Sequence, residues 1–334
     1  MLLEKLAIIQ GAAGDESRVR EVIKREVEEY CSQIKQDSMG NLYAIKEGND
    51  KKIMLAAHMD EVGFMVTSIT DQGMIKFKAI GSVDDRVLAS KKVLIGAKLI
   101  PGVIGMKPVH MQEKEDRKQN IKLKQLYIDI GCSKKEEAEK LVNLGDYIYY
   151  DSIFAELGNG VYKSKAFDDR VGCAVLIEVL KESFQSTIQA CFTVQEEIGL
   201  RGAGVAAYNV KPDLAIIIEG TTCSDVPNVE KHEMVTRMGA GPAVSIIDRS
   251  SYGNKNLVKT ILETAKENNI KVQIKEGIFG GNDAGRIQTM MEGIPTAVIS
   301  IPCRYIHSPN SVMCLDDYNN TVRLLKAVLR KLEE

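Results

Sequence analysis

Glu196 and Glu197 stand side by side where an apolar run ends, in CFTVQEEIGLRGAG (191–204). In a continuous strand the two would point to opposite faces, and like charges this close cost energy unless something positive is near. Such a pair reads as a solvated turn, as a general base beside a ligand, or as two metal ligands. Other apolar runs end in similar cargo. KIMLAAHMD (52–60) ends in His58 and Asp60, and LAIII (214–218) is followed by Glu219. The run at 296–301 leads by a turn to His307, and Asp168 and Asp169 open a helical pattern at 166–182.

Taken singly, each group has an ordinary explanation. Acids at a helix start complement the macrodipole, and a histidine before Ser-Pro is a common structural residue. Taken together, five segments deliver acid or imidazole groups toward the carboxyl ends of strands, where ligands sit in open α/β sheets. Gathered carboxylates repel one another and are costly to desolvate, and a multivalent cation relieves both penalties. A mixed imidazole and carboxylate set suits zinc, cobalt or manganese better than calcium. In an extended segment His58 and Asp60 face the same side, so Asp60 is placed to accept the second N–H of the imidazole.

The elements that must hold these groups follow from the hydrophobic pattern. Residues 15–30 read as an amphipathic helix, and 53–57 as a short buried strand. From about 66 to 164 the texture changes to short alternating segments separated by glycines and charged turns, which predicts a β-rich module. Within it, HMQEKEDRKQNIKLK (110–124) reads as an exposed charged loop. Helix and strand patterns then alternate to a final helix at 318–334. The expected fold class is α/β, with a discontinuous catalytic domain (1–65 and 165–334) and an inserted β-rich domain (66–164).

Composition narrows the function. The 334 residues carry 44 Lys and Arg against 46 Asp and Glu, a net charge of −2, which gives no footprint for nucleic acid or a membrane surface. Tryptophan is absent, which weakens any reading built on stacked sugars or bases. The seven cysteines are scattered without a CxxC pair, so reduced structural thiols are expected. No secretory leader and no long apolar span is apparent, and a soluble cytoplasmic protein is expected.

AAHMDEVGFMV, AFDDRVGCAVLIEVL, TVQEEIGLRGA, GGNDAGRIQ and IPCRYIHSP occur in order along nearly the whole chain. Together they resemble the glutamyl and deblocking aminopeptidases, dinuclear metallopeptidases that assemble as tetrahedral dodecamers. The resemblance implies an α/β catalytic domain interrupted by a β-barrel dimerisation domain. It also implies two divalent metal ions per subunit, zinc or cobalt with manganese as a further option. Asp168 would bridge them, with His58 and Glu219 completing one site and Glu197 and His307 the other. Glu196 would be the general base, Asp60 would stand behind His58, and the Asp168–Asp169 peptide is expected to be cis. Short peptides would be the substrates and dimers of the chain the units of the dodecamer.

Glu219 replaces the aspartate common in that family, GGND stands in place of a Thr-Asp pair, and FDD in place of Leu-Asp-Asp. Arg249 and Arg286 are candidates for recognising an acidic N-terminal residue. A deacylase of N-acyl amino acids is the nearest alternative activity. A glycosidase fits less well, because its carboxyls flank the sugar from separate segments, and a non-catalytic assembly protein would not need a full ligand set.

Overall fold

The computed structural model describes residues 1–114 and 118–334. The chain opens with helices Leu2–Ile8 and Ser17–Val27, then strands β1 (Gln33–Gln36), β2 (Leu42–Lys46) and β3 (Asn49–His58). Six strands follow: β4 (Gly63–Ile69), β5 (Ile75–Ile80), β6 (Lys92–Ile95), β7 (Ile100–Gly105), β8 (Tyr127–Asp129) and β9 (Tyr147–Tyr150). The rest comprises β10 (Ala155–Gly158), β11 (Val161–Ser164), β12 (Ser186–Thr193), β13 (Leu214–Thr222) and β14 (Ala243–Ser245). Last come β15 (Gln273–Ile274), β16 (Thr296–Arg304) and β17 (Ser311–Cys314), before the closing helix Leu315–Lys331.

One mixed sheet runs in the order β1-β2-β12-β3-β13-β16-β17-β11-β10, with β14 and β15 joined at β16. Its centre, β12, β3, β13 and β16, is parallel. These four strands are near-continuous apolar runs because helices cover both faces, the usual condition for a parallel sheet. Helices Phe167–Leu180, Lys255–Glu267 and Leu315–Lys331 enclose one core with the sheet, and helix Arg201–Val210 encloses a smaller one. The parallel register aligns Thr193 with His58 and Glu219 with Ser300. The carboxyl ends of neighbouring strands therefore open onto one edge, which is where the chemistry gathers.

The strands β4-β5-β8-β7-β6-β9 close into an antiparallel barrel around Phe64, Phe77, Ile95, Ile148 and Tyr150. Closure leaves the module with no free sheet edge. Its strands run from Gly63 to Tyr150, a shorter span than the 66–164 read from the sequence. The remainder, β10 and β11, is a hairpin that pairs through β11 with β17 of the large sheet. Its tip, Gly158-Asn159-Gly160, takes positive φ at all three residues, a turn chemistry that the alternation pattern alone does not distinguish from barrel strands. Of the expected charged loop, residues 115–117 lie outside the described residues. The barrel is tied to the mixed-sheet part of the chain where the Tyr149 hydroxyl donates to Asp15 and the Arg18 guanidinium lies 5.8 Å over the Tyr149 ring.

Candidate metal centre

Two groups of side chains meet at the sheet edge. His58, at the end of β3, places Nε2 3.3 Å from Asp168 Oδ1 and 3.3 Å from Glu219 Oε1. His307, in the turn between β16 and β17, places Nε2 3.3 Å from Asp168 Oδ2 and 3.3 Å from Glu197 Oε1. The two oxygens of Asp168 thus face different histidines, and the five residues form two three-membered ligand groups sharing one carboxylate.

Asp168 can do this because the helix Phe167–Leu180 is broken at its start. Asp168 (φ −84°, ψ 107°) and Asp169 (φ −120°, ψ 40°) lie outside helical space, and the peptide between them is cis. The two aspartates then divide. Asp169 is fully buried and accepts the main-chain N–H of Gly172 at 3.1 Å and of His58 at 3.2 Å, serving as a cap and a tie to β3. Asp168 turns its carboxylate to the imidazoles.

The role expected of Asp60 differs in detail. His58 Nδ1 lies 3.0 Å from the main-chain oxygen of Asp60 and 3.6 Å from its carboxylate, so the carbonyl is the nearer partner. The carboxylate is taken up elsewhere, accepting the N–H of Glu196 at 3.0 Å and of Glu197 at 3.1 Å. The consequence for His58 is unchanged: Nδ1 has an acceptor, so Nε2 is left to face the carboxylates.

The electrostatics are those of a site built for positive charge. Burial pushes Glu197 up to about 7 and Glu219 up to about 8, with neighbouring Asp168 adding to both against the opposing pull of the histidines. Burial alone would lower His307, but Asp168 and Glu197 lift it to about 9. His58 is likewise depressed by burial and raised overall, chiefly by Glu219 and Asp168. Glu197 and Glu219 shifted upward, with Asp168 held low by the two imidazoles, mark a cluster with more carboxylate than nearby positive charge. Glu197 Oε1 is buried and, apart from the ion pair with His307, has no hydrogen-bond partner among the described residues. Divalent cations fit these donors: three-ligand groups of imidazole and carboxylate are typical of catalytic zinc sites. Ligand–ligand separations near 3.3 Å are the edges of a tetrahedron with bonds of about 2.0–2.1 Å.

Glu196 stands apart from the ligand groups. It lines a cleft of about 600 Å³ shared with Asp168, Glu197, Glu219 and His307. Its side chain makes no hydrogen bond or ion pair among the described residues, and burial raises its pKa well above the usual carboxylate range. Arg249 and Lys275 line the same cleft, whereas Arg286 packs over Gly204 and does not.

Sequence reasoning passed over three supports. Lys165 and Glu61 form a buried ion pair at 2.5 Å beneath the site. Asp283, also buried, accepts the Thr193 hydroxyl at 2.5 Å. Glu16, 4 % exposed, accepts the N–H of Gln195. Buried charge in an otherwise polar stretch has no periodic signature.

Residues 40–324 match the family described as M42 glutamyl aminopeptidase. The chain is 32 % identical over 342 residues to the lysyl aminopeptidase of Pyrococcus furiosus, covering 99 % of this chain and 97 % of that one. It superposes with a TM-score of 0.96 and 37 % identity on the TET aminopeptidase of Thaumarchaeota archaeon SCGC AB-539-E09, covering 99 % and 95 % of the two chains. The TET1 peptidase of Pyrococcus horikoshii, described as assembling into a tetrahedron or a large octahedral shell, matches with a TM-score of 0.88 and 33 % identity over 98 % of each chain. With a family match over most of its length and two three-residue groups that could each hold a cation, the chain belongs to the M42 glutamyl aminopeptidase family and is a metallo-aminopeptidase.

Proposed function

We propose that this aminopeptidase removes N-terminal residues from short peptides, with His58, Asp168 and Glu219 holding one divalent cation and Asp168, Glu197 and His307 the other. The observation that carries this reading is the division of Asp168, one oxygen 3.3 Å from each histidine. Zinc, cobalt or manganese suits the donors. Bound there, two such cations supply charge that lowers the pKa of a water and polarises the scissile carbonyl.

The chain's own residues do the rest. Glu196 accepts the proton of the attacking water and hands it to the leaving amine. It is suited to both steps because it borders the cleft and its side chain makes no hydrogen bond or ion pair among the described residues, which leaves its oxygens free to take a proton and give it up. Glu197, its neighbour, is committed to the ligand group, so one adjacent pair divides binding from proton transfer. The substrate's free α-amine lies against the acidic end of the cleft, which limits cleavage to the first residue. Arg249 and Lys275 on the wall favour an acidic first side chain over a basic one.

The barrel serves as the dimerisation domain, and dimers build a dodecamer in the cytoplasm; the assembly is supported by the similar PhTET1-12s, described as a dodecamer, and by the TET1 peptidase that forms a tetrahedron or an octahedral shell. Light scattering on the purified protein tests the assembly: twelve chain masses are expected, and a monodisperse monomer would contradict it. The activity is tested by assaying the apo and metal-restored protein on an aminoacyl anilide. Turnover restored by metal in the parent but not in Glu196→Gln is expected; equal turnover in both would remove Glu196 from the reaction.

A further inference from the structure

Glu196 and Glu197 diverge because the residue before them is bent the unusual way. Gln195 has φ 58°, a left-handed conformation that is unfavourable for a residue with a Cβ and persists only where its surroundings hold it. Its N–H donates to Glu16 Oε1 at 3.1 Å, and the same oxygen accepts the N–H of Gly14 at 2.7 Å. The next two N–H groups go to Asp60. Three successive main-chain donors thus converge on two buried carboxylates, an arrangement of the kind that binds anions in backbone nests. On the other side the turn is closed by the N–H of Arg201 donating to the Gln195 carbonyl at 3.2 Å and that of Gly199 donating to Glu196 at 3.0 Å.

Glu16 itself has a fixed seat. It follows Gly14 (φ 97°), where a Cβ would stand 2.6 Å from the Tyr147 hydroxyl of the barrel, and it precedes the helix Ser17–Val27. The loop is therefore wedged between barrel and helix, and its carboxylate reaches a strand end 179 residues away in sequence.

We propose that Glu16 is a positioning residue for the peptidase reaction: it holds Gln195 left-handed and so sets the direction in which the Glu196 side chain enters the cleft. The inference rests on the role assigned to Glu196 above. A displaced base lowers turnover more than binding, because misplacement of about 1 Å costs up to 10²-fold in rate.

The test compares Glu16→Ala and Glu16→Gln for kcat, KM and metal content, with hydrogen exchange of the 194–200 segment measured on the same samples. Glu16→Ala is expected to lower kcat about tenfold or more while KM and metal content stay within about threefold. Glu16→Gln keeps an acceptor oxygen and should stay close to the parent. Exchange at 195–197 should quicken in Glu16→Ala and not in Glu16→Gln. If Glu16→Ala fails to fold, Glu16→Asp, which shortens the reach, should show the same pattern more weakly. A Glu16→Ala protein with parental kcat and parental exchange overturns the proposal, as does one that loses only thermal stability. Should the parent itself prove inactive on anilides, the reaction assigned above fails, and the exchange measurement still decides whether Glu16 holds the turn.

Discussion

The Asp60 carboxylate accepts the main-chain N–H of Glu197 at 3.1 Å through one oxygen and leaves the other, at 3.0 Å, for the N–H of Glu196. A single buried side chain on the β3 end thereby fixes both members of the pair by their backbone. Its neighbour His58 enters a ligand group, so one two-residue step places imidazole and turn together. Asp60→Asn replaces one acceptor with an NH₂ that confronts a donor. Steady-state kinetics should show kcat/KM falling by about 10²-fold, with the protein still folded by circular dichroism.

Glu196 and Glu197 are chemically identical and differ only in what the turn lets them face. Glu196→Gln is expected to lose about 10²–10⁴-fold in kcat while binding the parental amount of metal. Glu197→Gln should instead lose metal, because the buried Oε1 that faces His307 no longer carries charge. Metal analysis of the two dialysed variants separates the roles, and equal metal loss in both would merge them.

Much of this site was legible because its residues close apolar runs. His58 ends β3, Glu219 lies in the carboxyl half of β13 and Glu197 follows β12, and the parallel register carries these positions to one edge. The hairpin β1–β2 was not legible, since QIKQ carries no alternation to mark it. The segment after β15 holds only the one-turn helix Ala284–Ile287, with Met291 and Gly293 left-handed just beyond it, and so short a helix carries no periodic signature. The left-handed Gln195 was equally invisible: no glycine or asparagine announces it, and its cause, Glu16, lies in a distant part of the chain. Local patterns report burial and period, while a non-glycine held at positive φ is a tertiary fact.

Removing metal should cost stability as well as activity. Buried carboxylates that repel one another are held together by bound cations, and a ligand at 100 times its Kd adds about 2.7 kcal/mol. Differential scanning calorimetry should show Tm falling on chelation and recovering with zinc, cobalt or manganese. Glu196→Gln should follow the same recovery.

Acid stability has a separate contributor in Asp225, gripped by Arg304 at 2.7 and 2.8 Å. Burial raises the Asp225 pKa, but the Arg304 guanidinium together with the Cys223 thiol and the Met238 N–H outweighs it and the net shift is downward. A carboxylate depressed in the folded state stabilises above its unfolded pKa, near 3.9, and loses that contribution as pH falls through the lower folded value. Arg304→Ala should therefore cost about 1 kcal/mol at pH 7 and progressively less below about pH 4, by denaturant titration at each pH.

The account stands or falls on metal-dependent cleavage beside a free amine. The direct measurement is a panel of aminoacyl anilides, each with its N-acetylated counterpart, assayed after chelation and after return of zinc, cobalt or manganese. No turnover in the chelated protein, restoration by at least one metal, cleavage of free-amine substrates only, and faster turnover of glutamyl than lysyl anilide are expected. Full activity in the chelated protein, or cleavage confined to the acetylated substrates, would contradict it.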